Sequence, residues 1–348
     1  MKSKLNFIEK RELHFEVKDK QKFVNKVPKN ALVELSNSCN HECVFCYNPE
    51  MKRKTSSLNI EKFVGFVKQS AKEGLEEIGL YATGEPFMTK NLDSFIRIAK
   101  ENGIRRVYIT SNGALASIDK VIKCIDAGLD SIKFSINAGT RESYKIIHGF
   151  DDFEKVISNL KKIYEFKTNN KIKLQLLCSF VITDLTCDET TAFEQNYNYL
   201  FDEKIVFFKA GNQGGRTYEK NKSITRKVKQ NNLRKFEYKP CEMLWNRLHL
   251  NNEGNLTACC VDYENDLVYT KLNSEKKILE HFNSKKIIEL REKHLNNDLD
   301  GTICKNCIYN TTVRFNKLMG GETENRDTKN SKTIKNLQNR LKYIKNTN

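Results

Sequence analysis

Three cysteines stand close together near the start of the chain, in the segment Cys39-Asn-His-Glu-Cys43-Val-Phe-Cys46. Because only three and then two residues separate them, one tight loop can present all three thiolates to one metal centre. Three such thiolates can ligate three irons of a cubane cluster and leave the fourth iron free for a small molecule. The alternative is structural zinc, although the nearby His41 would complete a tetrahedron only under strain.

A second cysteine set lies in the C-terminal third of the chain. Its proposed ligands are Cys241, Cys259, Cys304 and Cys307. Gly254 stands between the first two, where it would allow a tight hairpin, and Cys260 leaves the choice of second ligand ambiguous. Four thiolates can enclose one iron–sulfur cluster completely, and by spacing alone zinc would fit nearly as well.

The elements that must position these cysteines follow from the hydrophobic pattern. Short apolar segments alternate with helical patterns from residue 31 to about residue 210, which is typical of a β/α fold with parallel strands. The predicted strands are Ala31–Ser36, Glu77–Tyr81, Arg106–Ser111, Ser131–Asn137, Lys173–Val181 and Lys204–Lys209. Six units are too few for a closed eight-stranded barrel, so we predict a partial (β/α)6 TIM-type barrel. Active-site residues of such folds follow the C-terminal ends of the strands.

Composition and patterning divide the chain into five predicted regions. They are an N-terminal extension (1–30), the partial barrel (31–220), a basic polar linker (221–240), a small cluster-binding domain (241–310) and a polar tail (311–348). A helix is predicted within the tail, near Thr333–Ile344. No internal repeat is visible.

The composition limits the function classes. At 348 residues and 39% hydrophobic content the chain can bury a full core. No signal peptide or bilayer-spanning apolar run is visible, so we expect a cytoplasmic protein whose eleven cysteines serve metal sites rather than disulfides. The net charge of +16 is interspersed with acidic residues, which favours a solvated basic surface and anionic small substrates over nucleic-acid binding.

The first cysteine loop resembles that of the radical S-adenosylmethionine (SAM) superfamily, which also has an aromatic residue before the last cysteine, here Phe45. The resemblance extends over about residues 31–310. It implies that Cys39, Cys43 and Cys46 hold a [4Fe–4S] cluster whose open iron binds SAM. Reductive cleavage of SAM then yields a 5′-deoxyadenosyl radical, which abstracts hydrogen from an unactivated carbon.

Motifs after the following strands extend this resemblance. Thr83-Gly84-Glu85-Pro86 is similar to the family's Gly-Gly-Glu-Pro motif, which implies that Glu85 receives the cofactor's ammonium group. The first glycine of that motif is replaced by Thr83. Family resemblance also makes Ser135 and Asn137 candidates for binding the ribose hydroxyls. Asn112 is a further cofactor-binding candidate, with a turn or helix cap as the alternative.

The second cysteine set resembles the auxiliary modules called SPASM and twitch domains. SPASM domains usually bear seven cysteines, whereas no cysteine follows Cys307 here, which favours the shorter twitch form with one fully ligated [4Fe–4S] cluster. Its implied task is electron transfer. The arrangement is similar to that of twitch-bearing dehydrogenases acting on an aminocyclitol alcohol, so we predict dehydrogenation of a small sugar- or cyclitol-like molecule, with the auxiliary cluster accepting an electron.

Several alternatives remain open at this point. A radical SAM epimerase would need a thiol as hydrogen donor, for which Cys178 or Cys187 are candidates, although Cys178 also fits a small buried core residue. A maturase of ribosomal peptides is a second alternative, and a zinc-stabilised nucleic-acid-binding protein is a third, from a different class. The expected partners are a small-molecule substrate and a one-electron donor such as flavodoxin or ferredoxin.

Overall fold

The structure is a computed structural model and describes residues 25–226, 238 and 240–309. The strands are β1 (Asn30–Val33), β2 (Glu77–Gly79), β3 (Arg106–Ser111), β4 (Ser131–Ser135), β5 (Gln175–Ile182), β6 (Val206–Lys209), β7 (Leu248–Leu250), β8 (Asn255–Thr257) and β9 (Val268–Lys271). The helices are α1 (Ile60–Lys72), α2 (Leu92–Glu101), α3 (Ile118–Asp126), α4 (Arg141–His148), α5 (Phe153–Asn169), α6 (Thr190–Tyr197), α7 (Tyr218–Ser223), α8 (Met243–Asn246), α9 (Ile278–Phe282), α10 (Lys285–Leu295) and α11 (Ile303–Tyr309).

The strands form one sheet in the order β6-β5-β4-β3-β2-β1-β7-β8-β9. The first six run parallel, and the sheet does not close on itself, so the predicted partial barrel is confirmed. All six predicted strands are present, with bounds that differ by no more than three residues. Their C-terminal ends therefore meet along one edge of the sheet.

The two faces of the parallel strands differ in character. Apolar side chains such as Ile109 and Phe134 belong to the core that packs against the helices, together with Val156 of α5. Because side chains alternate along a strand, Thr110 and Ser135 lie on the opposite face. These two polar side chains are thus separated from the helix layer.

Local signals explain where the helices begin and end. Asn59 precedes α1, and its Oδ1 accepts hydrogen bonds from the first-turn backbone N–H groups of Glu61 and Lys62. Gly74 follows α1 with φ +101°, the left-handed conformation that glycine adopts readily. Before α4, Thr140 and Ser143 form a reciprocal capping box. This cap fixes the helix that ends at His148, beside the first cysteine loop.

The C-terminal region continues the sheet of the barrel, whereas the sequence suggested a separate small domain. β7 pairs in parallel with β1, with Leu248 opposite Ala31, and β8 and β9 follow as antiparallel strands. Leu248 and Leu250 join the same apolar core as the barrel strands. The pairing covers an edge of β1 that would otherwise be open, and it brings the second cysteine set towards the first.

Parts of the predicted organisation lie outside the described residues. These are most of the N-terminal extension, part of the linker, the polar tail and its helix near Thr333–Ile344. Within the described part of the chain, no helix combines the length and the apolar composition that crossing a bilayer requires.

Candidate cluster and cofactor site

The first cysteine loop follows β1 as a compact turn. The backbone N–H of Cys46 donates to the carbonyl of Cys43 at 2.9 Å, and the backbone N–H of Asn48 lies 3.4 Å from Cys46 Sγ. Burial, together with the negative charges of neighbouring groups, raises the pKa of Cys39 to about 12 and holds that of Cys43 well above its usual range. A bound metal group would offset this cost, since a coordinating thiol is deprotonated.

The geometry of the sulfurs bears on the choice between zinc and a cluster. Thiolates around one zinc ion, at Zn–S distances of roughly 2.3 Å, would lie about 3.8 Å apart. Among the described residues, no three cysteine sulfurs lie within 4.8 Å of one another. His41 Nε2 lies 3.1 Å from Asp152 Oδ2 and the ring stacks on Phe150, while His41, Cys43 and His148 each bring one possible ligand atom to within 4.8 Å of the others. The spacing of the three cysteine sulfurs fits a larger group than a single ion.

The turn after β2 packs directly on this loop. The backbone N–H of Glu85 donates to the carbonyl of Ser38 at 2.8 Å. A Cβ atom at Gly84 would lie 2.4 Å from the carbonyl oxygen of Ser36 and 2.5 Å from that of Ser38. Only glycine fits such an approach, which explains why this motif position holds one.

The carboxylate of Glu85 is buried and well supplied with donors. Oε1 accepts hydrogen bonds from Ser111 Oγ at 2.8 Å and from the backbone N–H of Phe87 at 3.1 Å, and Oε2 accepts from the backbone N–H of Asn112 at 2.9 Å. Burial raises the pKa of Glu85, while these three donors lower it. The donors fix the orientation of the carboxylate and leave it capacity to accept from a cationic group.

Thr83, which replaces the first glycine of the family motif, has a partner of its own. Its hydroxyl donates to Glu34 Oε1, at the end of β1. Glu34 also receives a bidentate hydrogen bond from the guanidinium of Arg53, and both side chains are buried. Arg53 further donates to Asn252 Oδ1 at 2.7 Å and to the carbonyl of Tyr263 at 2.8 Å. We call Glu34, Thr83, Arg53 and Asn252 the Arg53 network.

The remaining cofactor candidates lie at neighbouring strand ends. Asn112 Nδ2 donates to Asn40 Oδ1 at 2.9 Å, which ties the end of β3 to the cysteine loop. Asn137 Nδ2 lies 3.3 Å from Ser135 Oγ, and Asn137 Oδ1 accepts from the backbone N–H of Val181 at 2.8 Å. The structure thus brings Asn112 to the loop, and it places Ser135 and Asn137 together at the end of β4. Phe45 is half-buried within the loop.

Cys178, the candidate hydrogen donor, lies elsewhere. It stands opposite Phe134 in the β4–β5 register and belongs to the apolar core on the helix-facing side. Burial raises the pKa of its thiol. Its neighbour Ser179 faces the side that also carries Ser135. This placement favours the interpretation of Cys178 as a core residue. Cys187 is half-buried in a short 3-10 turn after β5.

The second cysteine set gathers around the ends of β8 and α11. Cys307 interacts electrostatically with Cys241, Cys304 and Cys260, and Cys259 interacts with Cys241 and Cys307. Burial raises the pKa of Cys241 to about 12 and that of Cys304 to about 11. The structure brings all four predicted ligands together and keeps Cys260 beside them, next to the buried His249. The turn at Gly254, with φ +83°, forms the predicted hairpin.

Residues distant in sequence contact both cysteine regions, and sequence reasoning missed these contacts. The hydroxyl of Tyr263, four residues beyond Cys259, lies 3.5 Å from Cys46 Sγ. Asn212 Nδ2 donates to the carbonyl of Cys307 at 2.7 Å. On the other side of the loop, His148 Nδ1 lies 3.4 Å from Cys43 Sγ. The run that ends at His148-Gly149 continues the family pattern but carried no assigned chemistry, and no local pattern marks Tyr263 or Asn212, because the fold alone places these side chains beside the cysteines.

Two family models match this chain. Residues 33–191 match the radical SAM superfamily model, and residues 241–308 match the model of an iron-sulfur cluster-binding domain, SPASM. Curated relatives include a probable GTP 3′,8-cyclase of Saccharolobus islandicus (strain M.14.25 / Kamchatka #1), 34% identical over 129 residues, which are 37% of this chain and 41% of that protein. Another, from Metallosphaera sedula, is 32% identical over 159 residues, 45% of this chain and 48% of that protein. The matched segments thus span less than half of these relatives.

Solved structures share the fold at low sequence identity. BtrN in complex with AdoMet and 2-DOIA has a TM-score of 0.55 and 18% identity, over 84% of this chain and 98% of that chain. SuiB of Streptococcus suis bound to the precursor peptide SuiA has a TM-score of 0.57 and 15% identity, over 77% and 67%. The anSMEcpe structure with bound AdoMet has a TM-score of 0.56 and 13% identity, over 91% and 99%.

Proposed function

Because the chain belongs to the radical SAM superfamily and carries a SPASM-type domain, we propose that it dehydrogenates a small, sugar- or cyclitol-like alcohol. Its cofactors are [4Fe–4S] clusters and SAM. The observation that carries the proposal is the second cysteine set, in which four half-buried cysteines lie together in the region that contacts the first loop through Tyr263.

The residues of the first site have distinct proposed roles. Cys39, Cys43 and Cys46 hold the cluster with the open iron, which together with SAM supplies a 5′-deoxyadenosyl radical when bound. Glu85 accepts a charge-assisted hydrogen bond from the ammonium group of SAM. Ser135 and Asn137 lie together at the end of β4, two strands away, where they are the candidates for binding the ribose hydroxyls.

The second site favours oxidation of the substrate. Full ligation by Cys241, Cys259, Cys304 and Cys307 leaves no iron for a substrate, which suits an electron-transfer role. In dehydrogenation, the alcohol carbon gives a hydrogen atom to the 5′-deoxyadenosyl radical. The resulting substrate radical then gives a proton to a base and an electron to the auxiliary cluster, which leaves a carbonyl group. The contact between Tyr263 and Cys46 supports this role, because it holds the loop that carries Cys259 close to the radical site.

The proposed substrate class rests on two supports. Hydroxyl side chains such as Thr110, Ser135 and Ser179 occur on the sheet face opposite to the helices, which suits a polar molecule. The second support is the likeness to BtrN, which was crystallised with 2-DOIA and whose fold matches over 98% of that chain.

GTP is the second candidate substrate. The curated relatives are named probable GTP 3′,8-cyclases, and one is 34% identical to this chain over 129 residues. A segment of that length is compatible with shared radical-forming machinery alone, since substrates are selected by site residues rather than by fold.

The proposal is tested with anaerobically reconstituted protein, SAM, a reductant and a panel of carbon-deuterated aminocyclitols, deuterated hexoses and GTP. We expect an aminocyclitol or hexose to transfer deuterium into 5′-deoxyadenosine and to yield about one carbonyl product per 5′-deoxyadenosine. The matched variant Cys304→Ala/Cys307→Ala should still form 5′-deoxyadenosine but lose the carbonyl product. Deuterium transfer from GTP alone, or undiminished carbonyl product in that variant, contradicts the proposal.

A further inference from the structure

His148 is the last residue of α4, and its ring is fully buried beside the first cysteine loop. Its Nε2 lies 3.3 Å from the backbone nitrogen of Asn137 and 3.3 Å from the Nδ2 atom of the same residue. A backbone N–H can only donate, so Nε2 must accept and carries no proton. In a neutral imidazole the proton then resides on Nδ1.

The protonated nitrogen faces a cluster ligand. Nδ1 of His148 lies 3.4 Å from Cys43 Sγ, a distance suited to an N–H donor and a sulfur acceptor. The ring cannot turn away easily, because it stacks on Tyr144 with centroids 4.0 Å apart and an interplanar angle of 14°, and the ring of His41 lies at its edge. Asn137 therefore fixes the tautomer, and Tyr144 fixes the plane of the ring.

We propose that His148 is a positioning residue that donates its Nδ1–H to the Cys43 thiolate and thereby raises the reduction potential of the radical-site cluster. A hydrogen bond to a ligating sulfur withdraws negative charge, and the reduced cluster carries more of that charge than the oxidised one. The same bond holds Cys43 in its ligating orientation. The proposal concerns the first cluster only and stands whether or not the enzyme is a dehydrogenase.

The proposal also assigns Asn137 a second task. Its backbone N–H sets the His148 tautomer, and its side chain lies at the proposed ribose site beside Ser135. Asn137, at the end of β4, therefore contacts His148 and also lies at the proposed SAM site.

Potentiometric EPR on the reconstituted full chain tests the proposal. The radical-site signal is identified by its change when SAM is added, and its midpoint potential is compared among wild type, His148→Phe and His148→Gln. We expect His148→Phe to shift this midpoint to lower potential. His148→Gln should recover at least part of the wild-type potential, because its amide can donate to the Cys43 sulfur. The midpoint potential of the auxiliary cluster should be the same in all three proteins. The control His281→Phe, at a buried histidine that contacts Thr270, should not shift the radical-site midpoint. An unshifted midpoint in His148→Phe at full iron content overturns the proposal.

A second measurement covers the case in which His148→Phe fails to retain the cluster. His41 also lies beside the ligands, with its backbone N–H on Cys39, so the histidine is labelled with ¹⁵N in the imidazole ring only and His41→Phe serves as the control. Pulsed EPR should show a nitrogen coupling to the reduced radical-site cluster that is retained in His41→Phe and lost in His148→Gln. Absence of that coupling in wild type, or identical spectra of wild type and His148→Gln, overturns the proposal.

Discussion

Glu85 is the residue on which the proposed cofactor site depends most. Its oxygens are held by Ser111, Phe87 and Asn112, so Glu85→Gln keeps an acceptor in place but removes the charge. A charge-assisted hydrogen bond is worth roughly 1.5–3 kcal/mol, so we expect SAM to bind about 10- to 100-fold more weakly. Equilibrium dialysis on reconstituted protein measures this, with the exposed Glu61→Gln as the control. Equal affinity of Glu85→Gln and wild type would remove Glu85 from the cofactor site.

The pH dependence of SAM binding follows from the same carboxyl group. Burial raises the pKa of Glu85 above its ordinary value of 4.5, so on acidification it gains a proton earlier than an exposed glutamate does. Protonation removes the negative charge, and we expect the affinity for SAM to fall as the pH drops towards that raised pKa. Glu85→Gln should lack this component. Binding titrations over a pH series, with wild type and variant in parallel, measure the difference, and parallel curves would contradict it.

Thr83 provides a test of stability at a single hydroxyl. Thr83→Val keeps the shape of the side chain but removes the hydroxyl that donates to the buried Glu34 Oε1. The free energy of unfolding should fall by about 1–3 kcal/mol. The control is Thr89→Val, because the buried Thr89 hydroxyl has no hydrogen-bond partner within the described part of the structure. We expect the thermal unfolding midpoint to fall for Thr83→Val and to stay near wild type for Thr89→Val. Equal midpoints for the two variants would count against the assigned role of Thr83.

Residues whose role depends on local spacing could be predicted from the sequence. The cysteines, Gly84 and Glu85 are of this kind, since each lies within one strand-end turn. His148 and Tyr263 were not predicted, because their roles arise from contacts with Cys43 and Cys46 across about a hundred residues or more.

At the scale of elements, the Arg53 network holds the C-terminal hairpin against the barrel. Arg53 joins Glu34 after β1 to Asn252 in the turn between β7 and β8. Replacing Arg53 by Met leaves the buried carboxylate of Glu34 without its cation. Such a change lowers the free energy of unfolding by about 3–5 kcal/mol. We expect a lower unfolding midpoint and faster hydrogen exchange in residues 248–257.

The double variant Glu34→Gln/Arg53→Met supplies the control for this coupling. Removing both charges should recover part of the lost stability, since no uncompensated carboxylate remains. Additive losses in the double variant, with unchanged exchange in the hairpin, would show that the ion pair does not connect these elements.

Periodicity was sufficient to predict the six barrel strands but not the C-terminal strands. β7 and β8 have three residues each, like β2, but no strand–helix alternation surrounds them to mark them as strands. The parallel pairing of β7 with β1 joins residues more than two hundred positions apart, and no local signal specifies such a partner.

At the scale of the whole molecule, the sheet order explains why two cysteine sets that are distant in sequence come close together. β1 leads into the first set, β7 lies between Cys241 and Cys259 of the second, and these strands are neighbours in the sheet. Tyr263 then connects the two regions, and Asn212 connects the segment after β6 to Cys307. The architecture thereby brings the two proposed cluster sites into one region of the fold, as the proposed oxidation of a substrate between them requires.

The most direct measurement of this account is the iron and acid-labile sulfide content of anaerobically reconstituted protein, compared with the variant in which Cys39, Cys43 and Cys46 are all alanine. Two four-iron clusters predict about eight irons per chain in wild type and about four in the variant. About four irons falling to none would leave the first cluster in place but contradict an auxiliary iron–sulfur cluster, and with it the proposed electron-accepting dehydrogenation.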